Sequence, residues 1–118
     1  MQAKMISTPG GDVAVIHSGT PLITDEQSAL DFAASAGADM IALNKAAITE
    51  DFFDLRTGIA GAITQKFVNY GYRLAIIGDF SHYTSKALRD YMYECNSGKH
   101  LYFVPDEAQA LRKLTAGG

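Results

Sequence analysis

Apolar residues recur along this chain at two spacings, every second position and every third or fourth, and the switches between them predict its elements. Short β-prone runs at residues 2–7 and 12–18 flank Thr8-Pro9-Gly10-Gly11. Pro9 presets φ there and the glycines permit φ > 0, so a hairpin turn is predicted. In the second run Val13, Val15 and His17 share one face, and Ala14 and Ile16 share the other. Both faces are largely apolar, as expected of a strand covered on two sides. Ala29, Phe32, Ala33 and Ala36 then stand at i, i+3, i+4 and i+7, which defines one buried helical stripe. Ahead of them Thr24-Asp25-Glu26-Gln27 reads as a capping box with Thr24 at the N-cap, and Gly37 stands where a left-handed terminator belongs.

Met40-Ile41-Ala42-Leu43 is a short, continuously apolar strand that ends in Asn44-Lys45. Residues 46–58 form an acidic loop or short helical turns. From Gly58 to Tyr70, the spacing of Ile59, Ile63, Phe67 and Tyr70 predicts a helix closed by Gly71. Residues 72–77 are the clearest strand, ending at Gly78-Asp79. A polar run from Phe80 to Lys86 leads into a helix with Leu88, Tyr91, Met92 and Cys95 on one stripe, ended by Gly98. Leu101 to Val104 is the last strand. Pro105-Asp106-Glu107 opens a last helix with Ala108, Leu111 and Leu114 inward, and a frayed tail is expected from Thr115. The predicted order is β-β-α-β-α-β-α-β-α. Helices between successive strands require parallel pairing with right-handed crossovers, and only the first hairpin is antiparallel. The expected fold is an α/β domain over residues 1–118, with a single mixed, mostly parallel sheet and helices packed on it.

Composition adds exclusions. At 118 residues, with 47% apolar and 19% charged residues, the chain fits one domain with a real core rather than a disordered segment. A net charge of −3 gives no field that draws nucleic acid or an anionic membrane. The one cysteine, Cys95, excludes an internal disulfide and a zinc-finger spacing, and its helical surroundings suit a packed thiol better than a nucleophile. Met1-Gln2-Ala3-Lys4 lacks the long apolar core of a signal peptide, and no apolar run reaches the ~20 residues that cross a bilayer. A reducing cytoplasm is the expected location.

In open α/β sheets ligands gather beyond the carboxyl ends of the strands. Two such ends carry unusual polar loads: Asn44, Lys45, Glu50, Asp51, Asp54, Arg56 and Thr57 after one strand, and Asp79, Ser81, His82, Thr84, Ser85, Lys86 and Arg89 after the next. If those strands are neighbours, the two loops adjoin and make one binding surface. Each residue also has a plainer role: Asp54, Ser81 and Thr84 as helix caps, Glu50 and Asp51 as a solvated turn, Lys86 and Arg89 on an exposed face beside Asp90. There is no G-x-S-x-G, P-loop, G-x-G-x-x-G or H-E-x-x-H string, and His17, His82 and His100 are scattered. No catalytic residue, metal or cofactor is expected.

The runs Glu50-Asp51-Phe52-Phe53-Asp54-Leu55, Thr57-Gly58, Gln65 to Tyr70, Gly78-Asp79-Phe80-Ser81 and Tyr83 to Asp90 resemble a bacterial family called domain of unknown function 4180. That family carries no established activity, so the likeness implies no reaction. The order of elements is also similar to the STAS domain of anti-sigma-factor antagonists. There, Asp-Ser-Ser/Thr-Gly opens a helix, and a partner kinase phosphorylates the hydroxyl before the glycine, which breaks partner binding. Thr57-Gly58 would fill the last two places, with Asp54 near the acidic one; one residue is extra and Arg56 replaces a small hydroxyl residue. This likeness makes Thr57 a candidate phosphorylation site, with Arg56 or Lys45 to answer the phosphate and Asp51 and Asp54 to oppose it.

The leading expectation is a non-catalytic interaction or regulatory domain that binds protein partners. The second is a small-molecule or anion-binding protein, or an enzyme, using the loops at 44–57 and 79–86 with His82 or Asp79 handling the proton. A third is a homodimer joined through a sheet edge or an aromatic face of Tyr91, Tyr93 and Phe80.

Overall fold

The computed structural model describes residues 1–116. Five strands, β1 (Gln2–Thr8), β2 (Gly11–His17), β3 (Met40–Asn44), β4 (Arg73–Ile77) and β5 (Leu101–Val104), form one mixed sheet in sequential order. β1 pairs antiparallel with β2, and every later pair is parallel. Among the described residues four helices accompany the sheet: α1 (Glu26–Ser35), α2 (Ile59–Tyr70), α3 (Lys86–Asn96) and α4 (Glu107–Thr115). Three 3-10 turns, Lys45–Ala47, Glu50–Phe53 and Leu55–Thr57, fill the stretch between β3 and α2. The class is α/β with a single mixed sheet, in accord with the sequence.

Sequential parallel strands with right-handed crossovers send every connecting helix to the same side. Accordingly α1, α2 and α3 share one face, where Ile41, Leu43, Leu74, Ile76 and Phe103 meet Ala33, Ile63, Phe67 and Leu88. The other face belongs to α4. There the strands offer Val13, Ala42, Ala75 and Tyr102 to Ala110 and Leu114. The alternation of large and small residues along β3 and β4 therefore separates a thick three-helix layer from a single helix lying close on alanines.

Several local expectations shift. The N-cap of α1 is Asp25, not Thr24: Asp25 Oδ1 accepts from Ser28 N at 2.8 Å, and Ser28 Oγ accepts from Asp25 N at 3.0 Å. Gln27, expected to close the box, bonds Asp31 instead. Ala29 and Ala33 of the expected stripe lie in the core. In α4 the inward residue is Ala110, while Ala108 is exposed. Thr115 belongs to that helix, its hydroxyl donating to Leu111 O, so no tail begins there; Gly117 and Gly118 lie outside the described residues.

Candidate functional site

Parallel register dictates which loops meet. Asn44 and Ile77 are partners at the carboxyl ends of β3 and β4, so the next residues, Lys45 and Gly78, become neighbours. The fit leaves no space for a side chain, since a Cβ on Gly78 would lie 2.8 Å from Lys45 Cβ. From this junction the 3-10 turns and the loop at 78–85 rise side by side.

A small network joins them. Lys45 Nζ lies 3.0 Å from Glu50 Oε1, and Tyr83 donates its hydroxyl proton to Glu50 Oε2 at 2.6 Å. The same ammonium stands 4.9 Å above the Phe53 ring and 5.2 Å from that of Tyr83, within cation–π range. Phe53 stacks on Tyr83 at 5.0 Å and meets Phe80 at 5.8 Å, while Phe80 packs edge-on against Phe103 at 5.4 Å. Phe52 and Phe53 are buried, so the polar layer rests on an aromatic floor continuous with the core. Partial burial works against the Glu50 charge, but bonds from Tyr83 and Lys45 outweigh it and hold the carboxyl below its ordinary pKa. Burial first, then the Glu50 bond and charge, push the Tyr83 phenol above its usual range.

The other predicted residues are placed as follows. Asn44 is a brace: its Oδ1 accepts from Ser18 N at 2.8 Å and its Nδ2 donates to Ser18 O at 2.7 Å, tying the end of β3 to the residue after β2. Asp54 caps the third 3-10 turn and takes Arg56 in a two-point ion pair at 2.9 and 2.8 Å. The Arg56 hydrogen bond holds the Asp54 carboxyl below its ordinary pKa. Thr57 is exposed; its hydroxyl lies 2.9 Å from Asp51 O and 2.8 Å from Asp54 O and accepts from Ile59 N at 3.3 Å. Gly58 follows with φ +75°, a left-handed residue that turns the chain into α2. The Asp51 side chain is exposed on the first turn of its 3-10 segment.

On the second loop, Asp79 accepts from the Ser81 hydroxyl at 2.6 Å and from Ser81 N at 2.9 Å, which lowers its pKa. His82 packs on Tyr83 at 4.1 Å. Ser85, not Ser81 or Thr84, is the N-cap of α3. Lys86 pairs with Asp90 at 2.7 Å, and Thr84, Lys86, Arg89, Asp90 and Tyr93 line an open groove of about 590 Å³. A second open depression, about 320 Å³, lies between Gly78, Asp79, Phe80 and the end of β5.

The two loops thus converge through Lys45, Glu50, Tyr83 and the phenylalanines. Among the described residues no hydrogen bond or ion pair links the Asp54–Arg56–Thr57 group to the Thr84–Arg89 group. Tyr83, Phe53, Phe80 and Gly78 make the junction, yet none of them is among the residues expected on the binding surface; Phe80 is expected only in an aromatic dimer face and Gly78 only at a strand end. The one available signal was three aromatics embedded in polar loops, which reads as scattered without knowledge of the register. Among the described residues no three His, Cys, Asp or Glu side chains gather in a metal-binding group, and no helix is long and apolar enough to cross a membrane.

The family model described as Domain of unknown function (DUF4180) matches residues 8–114, nearly the whole chain, and the chain belongs to that family. No curated protein and no solved structure matches it.

Proposed function

We propose that this member of the DUF4180 family is a non-catalytic, regulatory interaction domain that receives a protein partner on the rim built by residues 44–57 and 79–89. One observation supports this reading above the others: Lys45, Glu50 and Tyr83 pair over an aromatic floor, with Asp54–Arg56 and Lys86–Asp90 paired beside them, next to open grooves rather than an enclosed cavity. A small ligand is usually held in a concave site that buries most of its surface. A protein partner instead suits an apolar centre with a satisfied polar rim. The alternative in which Asp79 or His82 handles a proton has less to rest on. Asp79 is committed to Ser81, and among the described residues no hydroxyl or thiol is hydrogen-bonded to His82.

The likeness to anti-sigma-factor antagonists supports Thr57 as the switch. The residue is exposed, though its hydroxyl is bonded within the turn, and it immediately precedes the glycine that opens a twelve-residue helix. Phosphorylation would replace the hydroxyl proton that bonds the carbonyls of Asp51 and Asp54, and would set about two negative charges before the free amides of α2. The anion suits the helix end but not the carbonyls, so the turn at 51–57 would rearrange. A partner seated there would be released.

The test is retention of proteins from the native cell on the immobilised chain, comparing wild type with Thr57→Asp and Lys86→Ala. At least one protein held by wild type should be lost with Thr57→Asp, and the same protein should weaken with Lys86→Ala. Identical bound sets for all three would overturn the reading.

A further inference from the structure

The two edges of the sheet are treated differently. At the β5 edge the strand has only four residues, and Asn96 closes it: Phe103 N donates to Asn96 Oδ1 at 2.7 Å, and Asn96 Nδ2 donates to Phe103 O at 3.2 Å. Such closure is how folded chains keep an edge from pairing with another copy. The β1 edge has none of it. β1 runs for seven residues in unbroken register from Gln2↔His17 to Thr8↔Gly11, with no bulge and no proline, and pairs with β2 alone among the described residues. Its single charge, Lys4, is drawn to Glu107 of α4 at 3.2 Å. Met5 is 48% exposed at its middle.

We propose that two copies of this chain join through their β1 strands, paired antiparallel about a two-fold axis at Met5, into one continuous sheet. The sequence of β1 is self-complementary in that register. Met5 faces Met5 of the other copy, Lys4 faces Ile6, Ala3 faces Ser7, and Gln2 faces Thr8, so no like charges stand opposite each other. The two lysines are diagonal neighbours at about 7–8 Å, each held by its own Glu107. The axis is perpendicular to the sheet, so both α4 helices lie on one face. The groove lined by Gln2, Lys4, Val15, His17 and Glu107 then becomes half of a trough between them. β3 and β4 stay two and three strands from the seam, so the rim with Lys45 and Tyr83 remains free in both copies.

Met5 also supplies the test. Its substitution to Asp places two carboxylates directly opposite on the axis, while an isolated copy keeps its fold because the side chain is half exposed. Sedimentation equilibrium on the 118-residue chain should give twice the chain mass for wild type at micromolar concentrations and the single mass for Met5→Asp, with equal circular dichroism. A Met5→Cys variant on a Cys95→Ser background should form a disulfide-linked dimer on mild oxidation. Opposed residues in an antiparallel pair stand about 4.5–5.5 Å apart at Cα, within the range a disulfide spans. The same exchange at Tyr93, exposed on α3, should not cross-link. A wild-type monomer, a dimer indifferent to Met5→Asp, or equal cross-linking from positions 5 and 93 would each overturn the proposal.

Discussion

Asn44 separates a brace from a ligand contact more sharply than any other rim residue. Its side-chain amide satisfies both the N–H and the C=O of Ser18, a residue only 3% exposed. Asn44→Ala removes both partners at once. A buried donor or acceptor left unpaired costs about 1–3 kcal/mol, and the carbonyl sits at the lower end of that range, so the pair amounts to about 3 kcal/mol. For a chain of this size that corresponds to a fall in Tm of about 12 °C, at roughly 4 °C per kcal/mol. Asn44→Asp is the finer probe. One carboxylate oxygen would still accept from Ser18 N, but the other would face Ser18 O, and repulsion would favour the protonated form. The introduced carboxyl would thus have a folded pKa above its unfolded value of about 3.9. Stability from such a group is present below the unfolded pKa and lost as pH rises through the folded one. The gap between this variant and wild type should therefore be widest toward neutrality, narrow as pH falls through the folded pKa, and be constant below about 4. Urea unfolding followed by circular dichroism at several pH values measures both effects. If Asn44→Ala changes the unfolding free energy by less than about 0.5 kcal/mol, the amide is not a brace and the residue returns to the binding surface.

Three further outcomes follow from the same geometry. Tyr83→Phe removes a bond that keeps Glu50 ionised, so the Glu50 carboxyl should titrate nearer its ordinary value; because a depressed carboxylate stabilises above its unfolded pKa and loses that contribution as pH falls, the variant should also lose part of the wild type's acid sensitivity. Carboxyl chemical shifts followed through the acid range check it, and an unmoved midpoint refutes the network. Asp25→Ala should cost about 1 kcal/mol by thermal unfolding, whereas Thr24→Ala should stay within about 0.5 kcal/mol; the reverse ranking would return the cap to Thr24. Gly78→Ala should cost about 1–3 kcal/mol, since the new methyl meets Lys45 near its backbone where no side-chain rotation relieves it, and an unchanged melting curve would show that the two loops are not in contact.

What could be read from the chain alone was whatever depends on near neighbours. The stripe Ala29–Ala33, the continuous apolar runs of β3 and β4 and the turn at Pro9-Gly10 belong to segments whose conformation is set within a few residues. For that reason the class and the single mixed sheet were legible. Local rules are weakest where two good candidates stand side by side: Thr24 and Asp25 are both fit to cap, and the reciprocal bonds between Asp25 and Ser28 settle it for Asp25. The working rim was legible only as two polar loops.

Tertiary structure decided the rest, because register is a relation between residues far apart in the chain. Pairing of Asn44 with Ile77 set Lys45 against Gly78, and this drew Tyr83 onto Glu50 across 33 positions. It also turned Asn44, by appearance a free polar group, into a brace for Ser18, 26 residues away. Composition and periodicity carry no information about such contacts. They arise when apolar strands fix their order by burying both faces, and the polar residues at their ends take whichever partners that order supplies.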